Sequence, residues 1–195
     1  MMSNLELHIE HSGPTRADAL KNRAHILAMA HALFNAQGVE SVSMAAIAEA
    51  AEVGKGTLYR HFKSKAALVQ GLLDDDQRDL QTRTFAHLRT SNDPRASLKW
   101  FLGEVLQLIE RNRSVLSRLI GFELLDHPAH WWWRQTIRGL LARMGAGSDL
   151  DYTADLIYVM VDVQTVLYQR IGRGYTLERI ATGLEDTVDR LTRSP

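Results

Sequence analysis

The chain has 195 residues, of which 45% are hydrophobic and 24% charged, with 23 Lys+Arg balanced by 23 Asp+Glu and no cysteine. The lack of cysteine excludes a disulfide framework, thiol catalysis and cysteine metal sites, and the zero net charge excludes a binder that works by bulk positive charge. No apolar run reaches the ~18 residues of a membrane span and no secretory leader pattern opens the chain, so a soluble, cytoplasmic protein without a membrane partner is expected.

Apolar residues recur at three-and-four spacing between only four prolines, which predicts an all-α chain. Residues 1–17 read as a flexible arm, because Ser12-Gly13-Pro14 breaks the pattern. His8, Glu10 and His11 lie in that arm, and a frayed terminus does not hold metal-ligand geometry. From Asp18 an amphipathic helix carries Ile26, Leu27, Ala30, Leu33 and Phe34 on one stripe, with Gly38 where a left-handed C-terminal cap belongs. Ser43 is the candidate N-cap of a brief second helix whose Ile47 and Ala51 point inward. After a turn at Glu52-Val53-Gly54, a third segment runs from Thr57 to Phe62, with Leu58 and Phe62 as its buried side. Ser64 caps a fourth helix that bears Leu68, Leu72 and Leu73 and is expected to end against the acidic run Asp74 to Asp76.

Within this region the stretch from Val53 to Lys65 carries Lys55, Arg60, Lys63 and Lys65 without one carboxylate. Three short helices, the second pair joined by a tight turn, make a helix-turn-helix arrangement. With Leu58 and Phe62 inward, Lys55, Thr57, Tyr59, Arg60 and His61 face other directions. A DNA major groove accepts one such helix, its phosphates accept hydrogen bonds from Lys, Thr and Tyr, and Gly56 lets the backbone approach closely. The plain alternative is a solvated charged helix whose tyrosine packs sideways.

Residues 22–73 resemble the DNA-binding domain of TetR-family transcriptional regulators. The resemblance rests on the Ile-Leu…Ala…Leu-Phe…Gly stripe, on the Ser43 cap before Ile47-Ala48, and above all on the uninterrupted TLYRHFKSKAAL. It implies that Thr57, Tyr59, His61 and Lys65 meet phosphates, Tyr59 sometimes also a base edge, while Lys55, Gly56 and Arg60 lie at or near base edges. Arg60 and Lys55 have the donors for guanine O6 and N7. Three positions depart from the family pattern. Glu52 stands where glycine is usual in the turn, Gly54 replaces a Ser or Thr cap, and Ala45 replaces a polar or basic base-reading residue. Modest specificity per half-site is the consequence, partly recovered through DNA shape. The implied organisation is an arm over 1–17, a DNA-binding domain over 18–65, and an effector-binding and dimerisation domain over 66–195, about nine to ten helices in all.

The second domain carries no motif. Asp93-Pro94 opens a helix with Leu98, Phe101, Leu102, Val105, Leu106 and Ile109, and a further segment holds Val115, Leu116, Leu119, Ile120 and Phe122. After Pro128 another helix runs to Gly145. Its Trp131, Trp132 and Trp133 span ~200° at ~100° per residue, so at least one leaves the local core, toward a rim or subunit contact or toward an aromatic pocket. Candidate pocket residues are Trp100, Phe101, Phe122, Trp132, Tyr158 and Tyr168, with Glu104 and Asp162 as polar anchors; exposure to water and an intersubunit hydrogen bond are the alternatives for both carboxylates. His127 and His130 beside Asp126 read as two surface imidazoles at a helix cap rather than a metal site, so no metal and no cofactor is expected.

A long helix over 152–171 is apolar on several sides, and the last, over 177–191, has the stripe Ile180, Leu184, Val188 and Leu191. Together with Val159, Val163 and Val166 this stripe is the expected homodimer interface, a four-helix arrangement; a monomer with one core is the alternative. The chain as a whole reads as a homodimeric repressor of a pseudo-palindromic DNA operator, released when a small-molecule effector enters the second domain and shifts helix four. An effector-independent architectural DNA-binding protein is the second reading. An enzyme is not expected, since no nucleophile elbow, phosphate loop, dinucleotide fingerprint or His-Glu-x-x-His occurs.

Overall fold

The computed structural model describes residues 16–117, 128–145 and 149–192, and every regular element among them is helical. Contacts divide the chain into two compact units, Met1–Leu68 and Val69–Pro195. No helix among the described residues is long and apolar enough to cross a membrane.

In the first unit α1 (Arg16–Gln37) buries Ile26, Ala30 and Phe34, four residues apart and each wholly inaccessible. It stops where glycine permits a left-handed residue, Gly38 at φ +79°, whose N–H bonds back to the Phe34 carbonyl at 2.9 Å. The second helix, α2 (Met44–Ala50), opens on Ser43, whose Oγ accepts the Ala46 N–H at 3.1 Å, and it buries Ile47 and Ala48. Helix α3 (Lys55–His61) starts two residues earlier than the sequence pattern suggests and stops one earlier, because Phe62 turns extended at φ −137° while staying buried. Between α2 and α3, Glu52 takes φ +52°, the left-handed conformation that glycine adopts freely and other residues at a cost of roughly 1–2 kcal/mol.

The fourth helix, α4 (Lys65–Thr90), is capped as expected, Ser64 Oγ accepting the Ala67 N–H at 3.1 Å. It does not end against the acidic run. Each carboxylate there has a partner, two of them on the same helix: Gln70 donates to Asp74 at 2.9 Å, Asp75 pairs with Arg78 one turn on, and Asp76 lies 3.3 Å from the more distant Arg111.

The second unit packs around α5 (Pro94–Arg111). Asp93 Oδ1 accepts the N–H groups of Arg95 and Ala96 at 2.9 and 3.0 Å, Pro94 occupies the first turn, and all six predicted core positions from Leu98 to Ile109 are buried. A four-residue α6 (Arg113–Leu116) follows. Helix α7 (Pro128–Met144), closed by Gly145 at φ +64°, packs against α5 and against α8 (Leu150–Met160). The single helix expected over 152–171 is in fact broken. Val161 caps α8, and the Asp162 carboxylate accepts N–H groups from Gln164 and Thr165 at 2.9 and 3.2 Å, which starts α9 (Val163–Leu167). Aspartate competes for its own backbone better than it continues a helix, so the break falls there. A π-turn, Tyr168–Gly172, leads on to α10 (Leu177–Leu191), which packs on α5.

Polar ties brace this core. Lys99 reaches Asp189 at 2.7 Å, and Arg170 grips both oxygens of Glu110 at 2.8 and 2.7 Å. The latter fixes the π-turn to α5 and holds the Glu110 carboxyl below its usual range.

Candidate functional site

The first unit turns two kinds of surface in opposite directions from one short helix. Leu58 and Phe62 are buried and anchor α3, while Lys55, Gly56, Tyr59 and Arg60 are exposed and Thr57 and His61 half-buried. Tyr59 is 46% exposed, so its ring is not packed sideways into the unit. Among the described residues no ion pair involves Lys55, Arg60 or Lys63, which leaves this face positive and unneutralised. Gly56 has a helical φ and nothing within 4 Å of where a Cβ would stand, so the fold has no need of glycine there. It is the second residue of the helix, and the open space in front of it suits a close-approaching partner.

Two of the candidate contact residues carry intramolecular work. Arg60 folds along its own helix, Nη2 donating to Thr57 Oγ1 at 3.1 Å. Lys65 Nζ donates to three carbonyls of the α1–α2 connection, those of Val39, Glu40 and Val42, at 2.8, 3.2 and 3.2 Å. An ammonium has three donors, so Lys65 is a clamp that ties the start of α4 to the preceding loop. Sequence reasoning gave it only a phosphate; carbonyls two dozen residues away leave no trace in a local pattern. It also missed Arg23 of α1, whose guanidinium stands 5.2 Å from the Phe62 ring centre. At the cap of α3, Gly54 makes no side-chain hydrogen bond, as its identity requires.

In the second unit the candidate pocket residues that the structure describes stand in different settings. Phe101 is core, with Trp132 edge-on to it at 5.5 Å and Phe85 6.2 Å from Trp132, an aromatic cluster that brings two of the candidates together. Trp100 stacks on His87 at 4.1 Å, Glu104 pairs with Arg83, and Tyr168 is 61% exposed along the π-turn. Asp162 is the cap of α9 rather than a free anchor, and it adds to burial in pushing the Tyr158 hydroxyl upward. Phe122 lies outside the described residues, as do Asp126 and His127. His130 is not a surface imidazole: it is buried, with Nδ1 2.5 Å from the Tyr158 hydroxyl. Of the three adjacent tryptophans Trp133 is buried and donates Nε1–H to Gln77 at 3.0 Å, Trp132 is half-buried, and Trp131 is 66% exposed.

The expected dimer face needs the largest correction. Val163, Val166, Ile180, Leu184 and Val188 are buried inside their own chain, so they are not available to a second copy. The stripe of α10 covers α5, and its outer side is polar, with Glu178, Thr182, Glu185, Asp186 and Arg190. Val159 and Leu191 remain exposed. On α8, Tyr152 and Leu156 join Val159 at i, i+4, i+7 spacing, and all three are exposed.

Residues 26–72 match the family described as bacterial regulatory proteins, tetR family. An HTH-type transcriptional regulator of Staphylococcus aureus (strain bovine RF122 / ET3-1) is 49% identical over 67 residues, 34% of this chain and 35% of that protein. The chain thus covers about a third of the length of the curated relatives it matches. Likeness to solved structures is one of fold. A TetR-family regulator from Syntrophomonas wolfei superposes with a TM-score of 0.70 at 17% identity, over 89% of this chain and 95% of that one. NalD of Pseudomonas aeruginosa, the secondary repressor of the MexAB-OprM multidrug efflux pump, superposes with a TM-score of 0.62 at 24% identity, over 92% and 100%.

Proposed function

From the premise that the chain belongs to the TetR family of transcriptional regulators, we propose that it is a cytoplasmic homodimeric repressor. It occupies a pseudo-palindromic operator and leaves it when a small-molecule effector enters the second unit. The family is one of DNA-binding regulators, and the chain is not an enzyme.

The observation that carries the reading is the outward face of α3, where Lys55, Gly56, Tyr59 and Arg60 stand exposed, the two cations in no ion pair among the described residues, while Leu58 and Phe62 hold the helix from behind. Tyr59, Thr57 and His61 would donate to phosphates, and Lys55 and Arg60 would read base edges. Arg60 leaves Thr57 to do so. Lys65 would meet a phosphate only by giving up one of its carbonyl partners.

For the dimer, the exposed run Tyr152, Leu156 and Val159 is the face we assign to the second copy. Two recognition helices about one helical turn apart, ~34 Å, would then read two half-sites. Because α4 starts beside the DNA-reading helix at Lys65 and continues to Thr90, a shift of it on effector binding would alter that separation.

Selection of bound duplexes from a random pool at moderate salt tests this. A palindromic motif with two half-sites is the expected result. Weak enrichment that vanishes as salt rises would favour the effector-independent architectural reading, with Ala45, in place of a base-reading residue, and Glu52, in place of the turn glycine, as the cause of the lost specificity.

A further inference from the structure

Backbones approach closely along α5–α7 and α7–α8, and α4 meets that group through long side chains. Two of the residues that make these contacts are neighbours on α4. Gln77 accepts the indole N–H of Trp133 on α7 at 3.0 Å, and Asp76 accepts the side-chain amide of Asn112, at the junction of α5 and α6, at 2.5 Å. Asn112 is wholly buried and Gln77 is 8% exposed. Arg111 approaches the same Asp76 carboxylate at 3.3 Å.

One link is missing from this chain of hydrogen bonds, and both halves of it are present. An indole N–H can only donate, so Gln77 turns its carbonyl oxygen to Trp133, and Gln77 Nε2 is left buried without a partner. The Asn112 side chain has two acceptors beside it, the Asp76 carboxylate and the Leu108 carbonyl, so its amide nitrogen faces them and Oδ1 is left buried without a partner. An orphaned donor or acceptor shut off from water is costly, and natural cores hold few of them. Further along α4 the pattern repeats at His87, whose Nε2 is buried without a partner while its ring stacks on Trp100 of α5 at 4.1 Å. Three of the four such atoms among the described residues thus fall where α4 meets α5 and α7. By contrast α10 is seated on α5 by direct pairs, Lys99 with Asp189 and Arg95 with Thr192.

We infer that Gln77 and Asn112 are the two halves of a latch that gives α4 a second seat on α5 and α7. In that seat Gln77 Nε2–H donates to Asn112 Oδ1, while Gln77 Oε1 keeps Trp133 and Asn112 Nδ2 keeps Asp76. Trp133, Gln77, Asn112 and Asp76 then form one unbroken chain from α7 through α4 to the α5–α6 junction, which in the present arrangement is open at a single place. Both groups of the missing bond have already lost their water, so no desolvation opposes closure; only the repacking around α4 does. Packed interfaces of this kind hold discrete arrangements rather than deforming continuously. Because α4 is one helix from Lys65 to Thr90, the seat it takes is felt where it starts, at the Lys65 clamp. The use of the latch in leaving DNA rests on the repressor reading; the latch itself does not.

Nuclear magnetic resonance on the isotope-labelled full chain tests this. Relaxation dispersion at the side-chain amides of Gln77 and Asn112 and at the indole N–H of Trp133 should show one shared exchange process on the μs–ms scale, with the minor seat populated at about 0.1–10%. Gln77→Met keeps the length of the side chain and removes the donor. Exchange at Asn112, whose bonds to Asp76 and Leu108 remain, should then vanish. Absence of exchange at Asn112 in the parent chain would overturn the inference whether or not Gln77→Met folds, and so would exchange that survives Gln77→Met unchanged. A long-lived water in contact with both side chains, in place of exchange, would also overturn it, since that water would satisfy both atoms without movement. Operator duplex, obtained by selection, should shift the ratio of the two seats roughly tenfold in the parent chain. An unshifted ratio would strip the latch of its regulatory use. Failure to enrich any duplex would break the repressor reading instead and leave the exchange measurement to decide the latch.

Discussion

The two units carry their apolar residues in opposite ways. In the first, each short helix has one narrow stripe, and whatever does not point inward is free to act on a partner: α3 buries Leu58 and Phe62 and presents Tyr59 and Arg60. In the second, apolar residues fill several sides of α5, α8 and α9, and what is buried depends on which other helix lies alongside. A stripe therefore means an anchor in one unit and says nothing about partner or core in the other.

The sharpest way to break this comparison is to put the same charge on two valines of the second unit. Val188 is wholly buried and Val159 is 55% exposed. Val188→Asp should destabilise the unit by about 3 kcal/mol or more, since a carboxylate would be stranded in the core, and the thermal transition should fall or vanish. Val159→Asp should melt within about 0.5 kcal/mol of the parent and change only the sedimentation coefficient. A Val188→Asp protein that melts normally but dissociates would restore the α10 stripe as a subunit contact.

For the first unit the matching test separates positioning from reading. Tyr59→Ala should weaken every duplex alike, whereas Arg60→Ala should lose about 1–3 kcal/mol on the preferred operator and relax its sequence at one position. If the enriched motif survives Arg60→Ala unchanged, Arg60 does not read a base. Lys65→Met divides the two roles of the clamp. With three carbonyls to serve, its loss should lower the thermal midpoint by an amount near 1 kcal/mol while the salt slope of DNA binding stays put; a slope smaller by about one would return Lys65 to the phosphates.

Acid probes the second unit. A hydrogen bond from Arg170 is the main cause that holds Glu110 below its usual 4.5, with the charges of Arg113 and Arg170 adding to it against desolvation. The folded carboxyl releases its proton more readily than the unfolded one. Its contribution is therefore complete above about pH 4.5 and is lost as pH falls through the lower folded value. Glu110→Gln should cost stability at neutral pH and flatten the acid limb of the midpoint-against-pH curve; an unchanged limb would mean the Arg170 grip is not made in solution.

What the amino-acid pattern disclosed follows the range of the forces involved. Ser43, Ser64 and Asp93 as caps, Gly38 as a left-handed stop and the buried face of α5 are legible because each depends on neighbours within four residues. The break at Asp162 was hidden by the apolar residues on both sides of it, which outvoted one capping side chain. The burial of α10 and the clamp on Lys65 were hidden because their partners are remote in sequence: α5 for the one, residues 39–42 for the other.

The smallest effect tests where the first unit departs from its relatives. Glu52, in the turn between α2 and α3, sits at φ +52°, so the turn keeps the left-handed shape of a glycine although the residue is not one. Strain of roughly 1–2 kcal/mol is set there against the lower backbone entropy that a non-glycine residue loses on folding, worth about 0.4–1 kcal/mol. The strain is the larger, so Glu52→Gly should raise the thermal midpoint by a few tenths to about 1 kcal/mol. Since the turn already has the shape glycine prefers, the angle between the two helices should not change, and DNA affinity should rise only through removal of one negative charge near the binding face. A Glu52→Gly protein that is less stable than the parent would mean that the Glu52 side chain makes up the backbone cost elsewhere. An operator preference altered by that single change would mean instead that the turn, and not the outward residues of α3 alone, sets which sequence is read.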